Sequence, residues 1–100
     1  EDTLSLHDAL PILAEILKLL AHPKRLLILC KLSEGEMSVG DLEKFCSISQ
    51  SQLSQFLAKM RQEWLIESRK DGIFVYYRIQ DSRISQMLKS LTTIYCNNQC

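Results

Sequence analysis

The chain has 100 residues, no net charge at pH 7, 46% hydrophobic and 24% charged residues, and four cysteines. This composition is ordinary for one small globular domain. It excludes a transmembrane protein, because no apolar run approaches ~18 residues, and it excludes a dense disulfide framework. We therefore expect a reducing cytoplasm as the location.

The charge is divided unevenly along the chain. Residues 1–48 hold five Lys/Arg and eight Asp/Glu, a balance of −3, whereas residues 49–100 hold seven and four, a balance of +3. A basic half is suited to the phosphates of nucleic acid. We expect any DNA-contacting segment to lie in the second half.

The first residues resemble a translated sequencing adapter. Residues 3–12, "TLSLHDALPI", match the translation of a common short-read sequencing adapter. We interpret residues 1–12 as a non-native, adapter-derived segment and residues 13–100 as the domain. The alternative is a genuine amphipathic helix, which Pro11 would have to begin or kink. Apolar residues at helical spacing predict the first helix from about Leu13 to Leu20.

Three further helices are predicted at short intervals. Pro23 opens the second, which ends near Ser33. Ser38 begins the third and Ser49 caps the fourth, each followed three residues later by the partner of a capping box. The fourth helix has an apolar stripe at i, i+3, i+4 and i+7, formed by Leu53, Phe56, Leu57 and Met60.

The pattern then changes to alternation. Two strands, "LIESRK" and "IFVYYRIQ", are joined at Asp71-Gly72, a strong hairpin signal. A last helix starts near Asp81 or Ser82. The sequence thus predicts a mainly α fold with a small β-hairpin, typical of a winged helix-turn-helix. One face of the second strand is predicted to hold Ile73, Val75, Tyr77 and Ile79.

The fourth helix carries the candidate DNA-reading face. Opposite its stripe lie small and amide side chains that can hydrogen-bond to base edges, and basic residues follow that can contact phosphates. No acidic residue occurs from 49 to 62. The alternative is an ordinary solvated face. The predicted DNA-binding residues are Gln50, Ser51, Ser54, Gln55, Lys59, Arg61, Arg69 and Lys70.

Several motifs between Leu17 and Cys96 resemble ArsR/SmtB-type bacterial repressors, namely "HPKRLLIL", "MSVGDL", "SQSQLSQFL" and "YYRI". The resemblance implies a dimeric winged-helix repressor of double-stranded operator DNA, whose first and last helices form the homodimer interface. Trp64 departs from the pattern, since the family usually has Gly there. Gly favours the left-handed end of a helix, so Trp64 puts that turn in question.

Two metal-binding patterns of that family are absent. Ser38-Val39-Gly40 replaces a Cys-x-Cys pair at the start of the third helix, and the last helix has Asp81 but no His. A zinc site needs about four ligands, so we expect no metal or cofactor. A metal sensor with a non-standard cysteine site and a protein-interaction module remain alternatives. An enzyme is not expected, because no nucleophilic constellation or Gly-rich phosphate loop occurs.

Cys30 and Cys96 are the candidate sensing residues. "ILC" and "IYC" are similar to the two cysteine segments of the persulfide-sensing branch, which includes SqrR, BigR and HlyU. The resemblance implies that reactive sulfur species, as inducer, bridge this redox-sensing pair and weaken operator binding. On the residues alone, Cys30 reads as a small buried hydrophobe. Cys46 is expected to be structural and Cys100 exposed.

Overall fold

The computed structural model describes residues 5–96, which form five helices and a small sheet. The predicted fold class and the order of helices and hairpin are confirmed. A two-residue strand was not predicted, because two residues carry no periodicity. The elements are α1 (Leu6–Leu20), α2 (Pro23–Leu32), β1 (Met37–Ser38), α3 (Val39–Cys46), α4 (Gln50–Gln62), β2 (Ile66–Asp71), β3 (Phe74–Ile79) and α5 (Ser82–Cys96).

Helix α1 begins earlier than predicted. Ser5 caps it, its Oγ accepting a hydrogen bond from the Asp8 backbone N–H at 3.2 Å, and the Asp8 charge favours the helix N-terminus. Pro11 lies inside the helix and not at its first turn. The predicted start near Leu13 is therefore wrong. The adapter origin of residues 1–12 stays a prediction, and residues 1–4 lie outside the described residues.

The core lies where α2 packs against α3, α5 and the sheet. Ile28 and Leu29 of α2 are fully buried, as is Leu53 of α4. Burying a side chain of this size contributes about 1.5–3 kcal/mol. Within residues 5–96, no helix combines the length and apolarity required to span a membrane.

The three strands form an antiparallel sheet in the order β1-β3-β2. Asp71 pairs with Phe74, which leaves Gly72 and Ile73 as a two-residue turn. Gly72 has a φ of 65° and Ile73 does not have a positive φ, as a type II′ turn requires. Ile73 therefore lies in the turn and does not belong to the predicted apolar strand face. Tyr77 and Ile79 of that face do pack against the core.

Trp64 adopts the left-handed conformation that Gly usually supplies, with a φ of 64°. The Leu65 N–H bonds to the Met60 carbonyl at 3.0 Å, and the Trp64 N–H bonds to the Arg61 carbonyl at 3.1 Å. This pair of bonds is the Schellman motif that ends many helices. Trp64 therefore forms the same left-handed turn that glycine would form after α4. The conformation costs about 1–2 kcal/mol for a non-Gly residue. Leu65, which is buried, anchors the chain as it enters β2.

Candidate nucleic-acid interface

The turn between α3 and α4 fixes how α4 is presented. Ser47 ends α3 in a left-handed conformation, with φ 52° and ψ 41°. Ile48 is buried just before the cap and Leu53 is buried in the first turns of α4, an arrangement like a hydrophobic staple. The Ser49 Oγ accepts a hydrogen bond from the Gln52 N–H at 3.2 Å. These contacts set the angle at which α4 leaves the body.

The exposed side of α4 carries the predicted base-reading residues. Its other side is buried through Leu53, Leu57 and Met60. Among the described residues, the polar side chains of the exposed side have no side-chain hydrogen-bond partner, so they can bind an external ligand without breaking an internal bond. The residues concerned are Gln50, Ser51, Ser54 and Gln55.

The basic residues at the end of α4 continue onto the hairpin. Lys59 and Arg61 are exposed in the last turns of α4. The Arg61 guanidinium donates to Ser68 Oγ at 3.4 Å, which joins α4 to β2. Side chains alternate between the faces of a strand, so Lys70 lies on the same face as Ser68. The structure therefore groups Arg61 and Lys70 with the α4 surface.

Arg69 lies on the opposite face and is engaged within the protein. Its Nε and Nη2 donate to the two carboxylate oxygens of Glu36, both at 2.8 Å. Its guanidinium also lies 4.7 Å from the centroid of the Tyr76 ring. The hydrogen bond from Arg69 lowers the pKa of Glu36 and, reciprocally, raises the pKa of Arg69. Arg69 is thus not grouped with the other predicted phosphate ligands, and Glu36 offsets its charge.

An ion pair between Arg25 and Glu63 was missed by the sequence analysis. It joins the start of α2 to the end of α4, and its side chains are only 13% and 19% exposed. His22 supports the same junction: its Nδ1 accepts from the Lys24 N–H at 3.1 Å, and its ring lies 5.2 Å from that of Phe56. No periodicity links residues 38 positions apart, so this pair had no signal in the sequence.

The two candidate sensing cysteines are in different states. Cys30 is a half-buried free thiol on α2, and burial, assisted by the charge of Glu34, raises its pKa. Cys96, the last residue of α5, is disulfide-bonded. Its partner is neither Cys30 nor Cys46, which are both free. The structure therefore does not bond Cys30 to Cys96.

Cys46 is buried in the core cluster, and that burial raises its pKa, opposed by the charge of Lys31. Cys100 lies outside the described residues. Within residues 5–96, His, Cys, Asp and Glu side chains nowhere gather in threes close enough to hold a metal ion.

Comparison with known proteins identifies the family. Residues 22–68 match the model for bacterial regulatory proteins of the arsR family. The chain is 40% identical to the biofilm growth-associated repressor of Xylella fastidiosa (strain Temecula1), over 86% of this chain and 75% of that protein. It is 42% identical to the HTH-type transcriptional regulator YgaV of Escherichia coli (strain K12), over 83% and 85%.

A solved structure agrees with the sequence comparisons. The transcriptional regulator HlyU from Vibrio vulnificus CMCP6 superposes with a TM-score of 0.85 and 37% identity, over 91% of this chain and 95% of that one. The winged helix-turn-helix predicted from the element order and the resemblance drawn from the motifs are both confirmed. The chain belongs to the arsR family of bacterial regulatory proteins, whose members are DNA-binding transcriptional regulators and not enzymes.

Proposed function

We propose that the chain is a dimeric repressor that binds operator DNA through α4 and the hairpin, and that a sulfur bridge between Cys30 and Cys96 releases it. The observation that carries the DNA-binding part is the exposed polar side of α4, with Gln55 and its neighbours unpartnered among the described residues. Amide and hydroxyl groups read base edges, while Lys59, Arg61 and Lys70 supply phosphate contacts.

Two exposed apolar helix faces support the dimer. Leu13 and Leu17 lie four residues apart and form an apolar seam on one face of α1, where they are 38% and 46% exposed. Both follow residues 1–12, the segment interpreted as adapter-derived. Exposed apolar side chains also lie on α5, at Leu91, Ile94 and Tyr95. A second copy of the chain would bury these residues and place two α4 helices on adjacent half-sites.

The dimer is tested by sedimentation of a Leu17→Glu variant. A charge in the seam should shift the protein to a monomer, because a buried carboxylate without a partner opposes association. Lys18→Glu is the matched control, since Lys18 is exposed beside the seam and pairs with Glu15 of the same helix. Equal behaviour of the two variants would contradict a dimer formed through α1.

DNA binding is tested on duplexes selected from a randomised library. The logarithm of the binding constant should fall linearly with the logarithm of salt concentration, with a slope of about −0.9 for each phosphate contacted. Lys59→Ala should reduce that slope. Lys89→Ala, an exposed basic residue on α5, is the control and should leave the slope unchanged. Weak, salt-insensitive binding would instead favour a protein-interaction module.

The regulatory chemistry is assigned to the two thiols. Burial raises the pKa of the Cys30 thiol, which disfavours the thiolate that attacks efficiently. In the reduced protein, Cys96 therefore takes a sulfur atom from a persulfide RSSH, which leaves as RSH. Cys30 then bonds to the added sulfur while a second RSSH accepts two electrons and is released as RSH and H₂S.

The helix that carries Cys96 already packs on the helix that carries Cys30. The Ser85 Oγ on α5 donates to the carbonyl of Ser33, just after α2, at 3.3 Å. A sulfur bridge would fix the far end of α5 against α2. Because α5 forms part of the proposed dimer interface, the spacing of the two α4 helices would change with it.

The thiol chemistry is tested by intact mass spectrometry and peptide mapping of reduced protein treated with an organic persulfide. We expect a cross-link between Cys30 and Cys96 with at least one added sulfur, together with loss of duplex affinity. Cys46→Ser is the control and should react as the original protein does. Modification at Cys100 alone, or a cross-link that leaves affinity unchanged, would contradict the proposed switch.

A further inference from the structure

Cys96 is oxidised in a way that the proposed switch does not use. It is disulfide-bonded, whereas Cys30 and Cys46 are free thiols. The sequence holds four cysteines, and the fourth is Cys100, which lies outside the described residues. Elimination therefore leaves Cys100 as the partner of Cys96 within one chain. The two belong to the motif "CNNQC", in which three residues separate them.

This spacing is suited to a local disulfide. The bond requires Cα atoms about 4.4–6.8 Å apart, and consecutive Cα atoms are about 3.8 Å apart, so the chain has to turn back only once between the two cysteines. Cys96 is the last residue of α5 and is half-buried. So short a connection gives the Cys100 thiol a high effective concentration at Cys96.

The bonded Cys96 does not tie α5 to α2. Leu88 of α5 is fully buried, and the Ser85 Oγ on α5 donates to the Ser33 carbonyl at 3.3 Å. Cys30 is the only cysteine of α2, and it is free. The two helices are therefore packed by non-covalent contacts alone, in a form that is already oxidised at Cys96.

We propose that Cys96 and Cys100 form a second redox site, which reacts with low-molecular-weight disulfides (RSSR) and withholds Cys96 from Cys30. The inference rests on the proposed function, because it concerns the choice between two partners of one thiol. A bond from Cys96 to Cys100 fixes nothing on α2, so oxidation at this site leaves the protein on its operator. Cys100 thereby separates a general excess of disulfides, which closes the local bond, from the persulfide signal, which bridges Cys30.

The reaction consists of two thiol–disulfide exchanges. The Cys96 thiolate attacks one sulfur of RSSR, which forms a mixed disulfide and releases RS⁻. The Cys100 thiolate then attacks the Cys96 sulfur of that mixed disulfide and releases the second RS⁻. Two protein thiols are oxidised, one RSSR is reduced, and the protons of the two thiols end on the two RSH. Cys30 competes poorly for RSSR, because burial raises its pKa and disfavours its thiolate.

The site is tested by peptide mapping of reduced protein treated with oxidised glutathione, a low-molecular-weight disulfide. Free thiols are alkylated before digestion with trypsin. Cleavage after Lys89 releases residues 90–100 with both cysteines, and Cys30 is released in the peptide "LLILCK". We expect the 90–100 peptide to be two hydrogen atoms lighter than its reduced form and to carry no alkyl group, whereas Cys30 is alkylated.

Cys100→Ser removes the second thiol and no other group of the proposed site. In this variant the exchange should stop at its first step, so Cys96 should keep a bound glutathione. Cys46→Ser is the matched control, because Cys46 is buried and free, and its map should agree with that of the original protein.

The consequence for regulation is tested by fluorescence anisotropy on the selected duplex. Oxidation by glutathione should leave the affinity of the original protein unchanged. The persulfide concentration that halves duplex binding should then be about 10-fold higher for the oxidised protein than for the reduced one, because Cys96 has no thiolate to offer. The same pretreatment of Cys100→Ser should leave that concentration unchanged, since a mixed disulfide exchanges with persulfide.

A glutathione retained on Cys96 of the original protein, or identical maps for the original protein and Cys100→Ser, would overturn the local disulfide. Loss of duplex affinity when the local bond closes would overturn its protective role. If persulfide released neither the reduced original protein nor reduced Cys100→Ser from the duplex, the proposed switch would fail and the withholding of Cys96 with it. The mapped bond between Cys96 and Cys100 would still establish the second redox site, because it is measured by mass alone.

Discussion

The polar side chains at the two ends of α4 are engaged in different ways. At its C-terminal end, the partly buried Glu63 pairs with Arg25, and the Schellman turn at Trp64 leads directly into β2. At its N-terminal end, Gln50 and Gln55 are exposed and have no side-chain hydrogen bond among the described residues. Ile48 and Leu53 also pack the N-terminal end against the core, so the two ends differ in their polar side chains. The one at the C-terminal end, called the anchored end, is engaged in an ion pair, whereas those at the N-terminal end, called the offered end, have no hydrogen-bond partner among the described residues.

The largest expected effect comes from breaking the anchor. Glu63→Ala leaves the Arg25 charge buried without a partner, and we expect a loss of about 3 kcal/mol in the free energy of unfolding. Chemical denaturation followed by circular dichroism measures it. Glu67→Ala is the control, because its pair with Arg78 is largely exposed and contributes about 0–1 kcal/mol. Equal losses in the two variants would show that the α2–α4 junction is not a special anchor.

The next largest effect is expected at the offered, N-terminal end of α4. Gln55→Ala should remove about 1–3 kcal/mol of the preference for the selected duplex over one with a wrong base at the contacted position. It should leave the free energy of unfolding unchanged. Anisotropy and denaturation together separate the two quantities. Gln86→Ala, an exposed amide on α5, should change neither. A loss of stability in Gln55→Ala, or equal DNA binding by both variants, would remove the distinction between the two ends.

Trp64→Gly sharpens the comparison from the anchored side. Glycine adopts the left-handed conformation at little cost, and Trp64 is 75% exposed, so we expect a gain of about 1 kcal/mol in stability. Lys59→Gly, near the end of the helix, should instead lose up to about 1 kcal/mol. A loss in Trp64→Gly, measured by the same denaturation experiment, would mean that the indole packs better than its exposure indicates.

The smallest effect is expected at Arg69. Because Glu36 and Tyr76 engage it on the face away from α4, Arg69→Ala should leave the salt slope of DNA binding almost unchanged, whereas Lys70→Ala should lower it by about 0.9. A drop of that size in Arg69→Ala would place Arg69 on a phosphate.

The ion pair between Glu36 and Arg69 makes the stability of the fold depend on pH, and the sign of that dependence can be stated. Arg69 lowers the pKa of Glu36 in the folded protein. The stabilisation by ionised Glu36 is therefore fully present above the ordinary pKa of glutamate. It is lost as the pH falls through the lower pKa that Glu36 has in the folded protein. A Glu36→Gln variant should show a smaller loss of stability with acid than the original protein. Parallel acid profiles for the two proteins would contradict the assignment.

The sequence predicted what local patterns encode and missed what distant residues create. Caps at Ser38 and Ser49 and the stripe on α4 are local, and they were found within a residue or two. The Arg25–Glu63 and Glu36–Arg69 pairs join residues more than 30 positions apart, so no spacing rule could reveal them. The early start of α1 was missed because Pro11 was expected to limit the helix.

The candidate site divides in the same way. The exposure of Gln50 and Gln55 followed from the apolar stripe on the other side of α4, which the sequence shows directly. The separation of Arg69 from Arg61 and Lys70 depends on which face of β2 each side chain occupies. A count of basic residues reveals neither that separation nor the pairing of Arg69 with Glu36. The states of Cys30 and Cys96 depend on burial and on bonding partners, which periodicity does not encode.

The most direct measurement is an NMR titration of the protein with the selected duplex, following the side-chain amide signals of glutamines on α4. The account predicts that Gln50 and Gln55 shift strongly, because they lie at the offered end, and that Gln62 at the anchored end shifts little. Larger shifts at Gln62, or shifts confined to α1 and α5, would contradict the claim that the N-terminal half of α4 reads DNA.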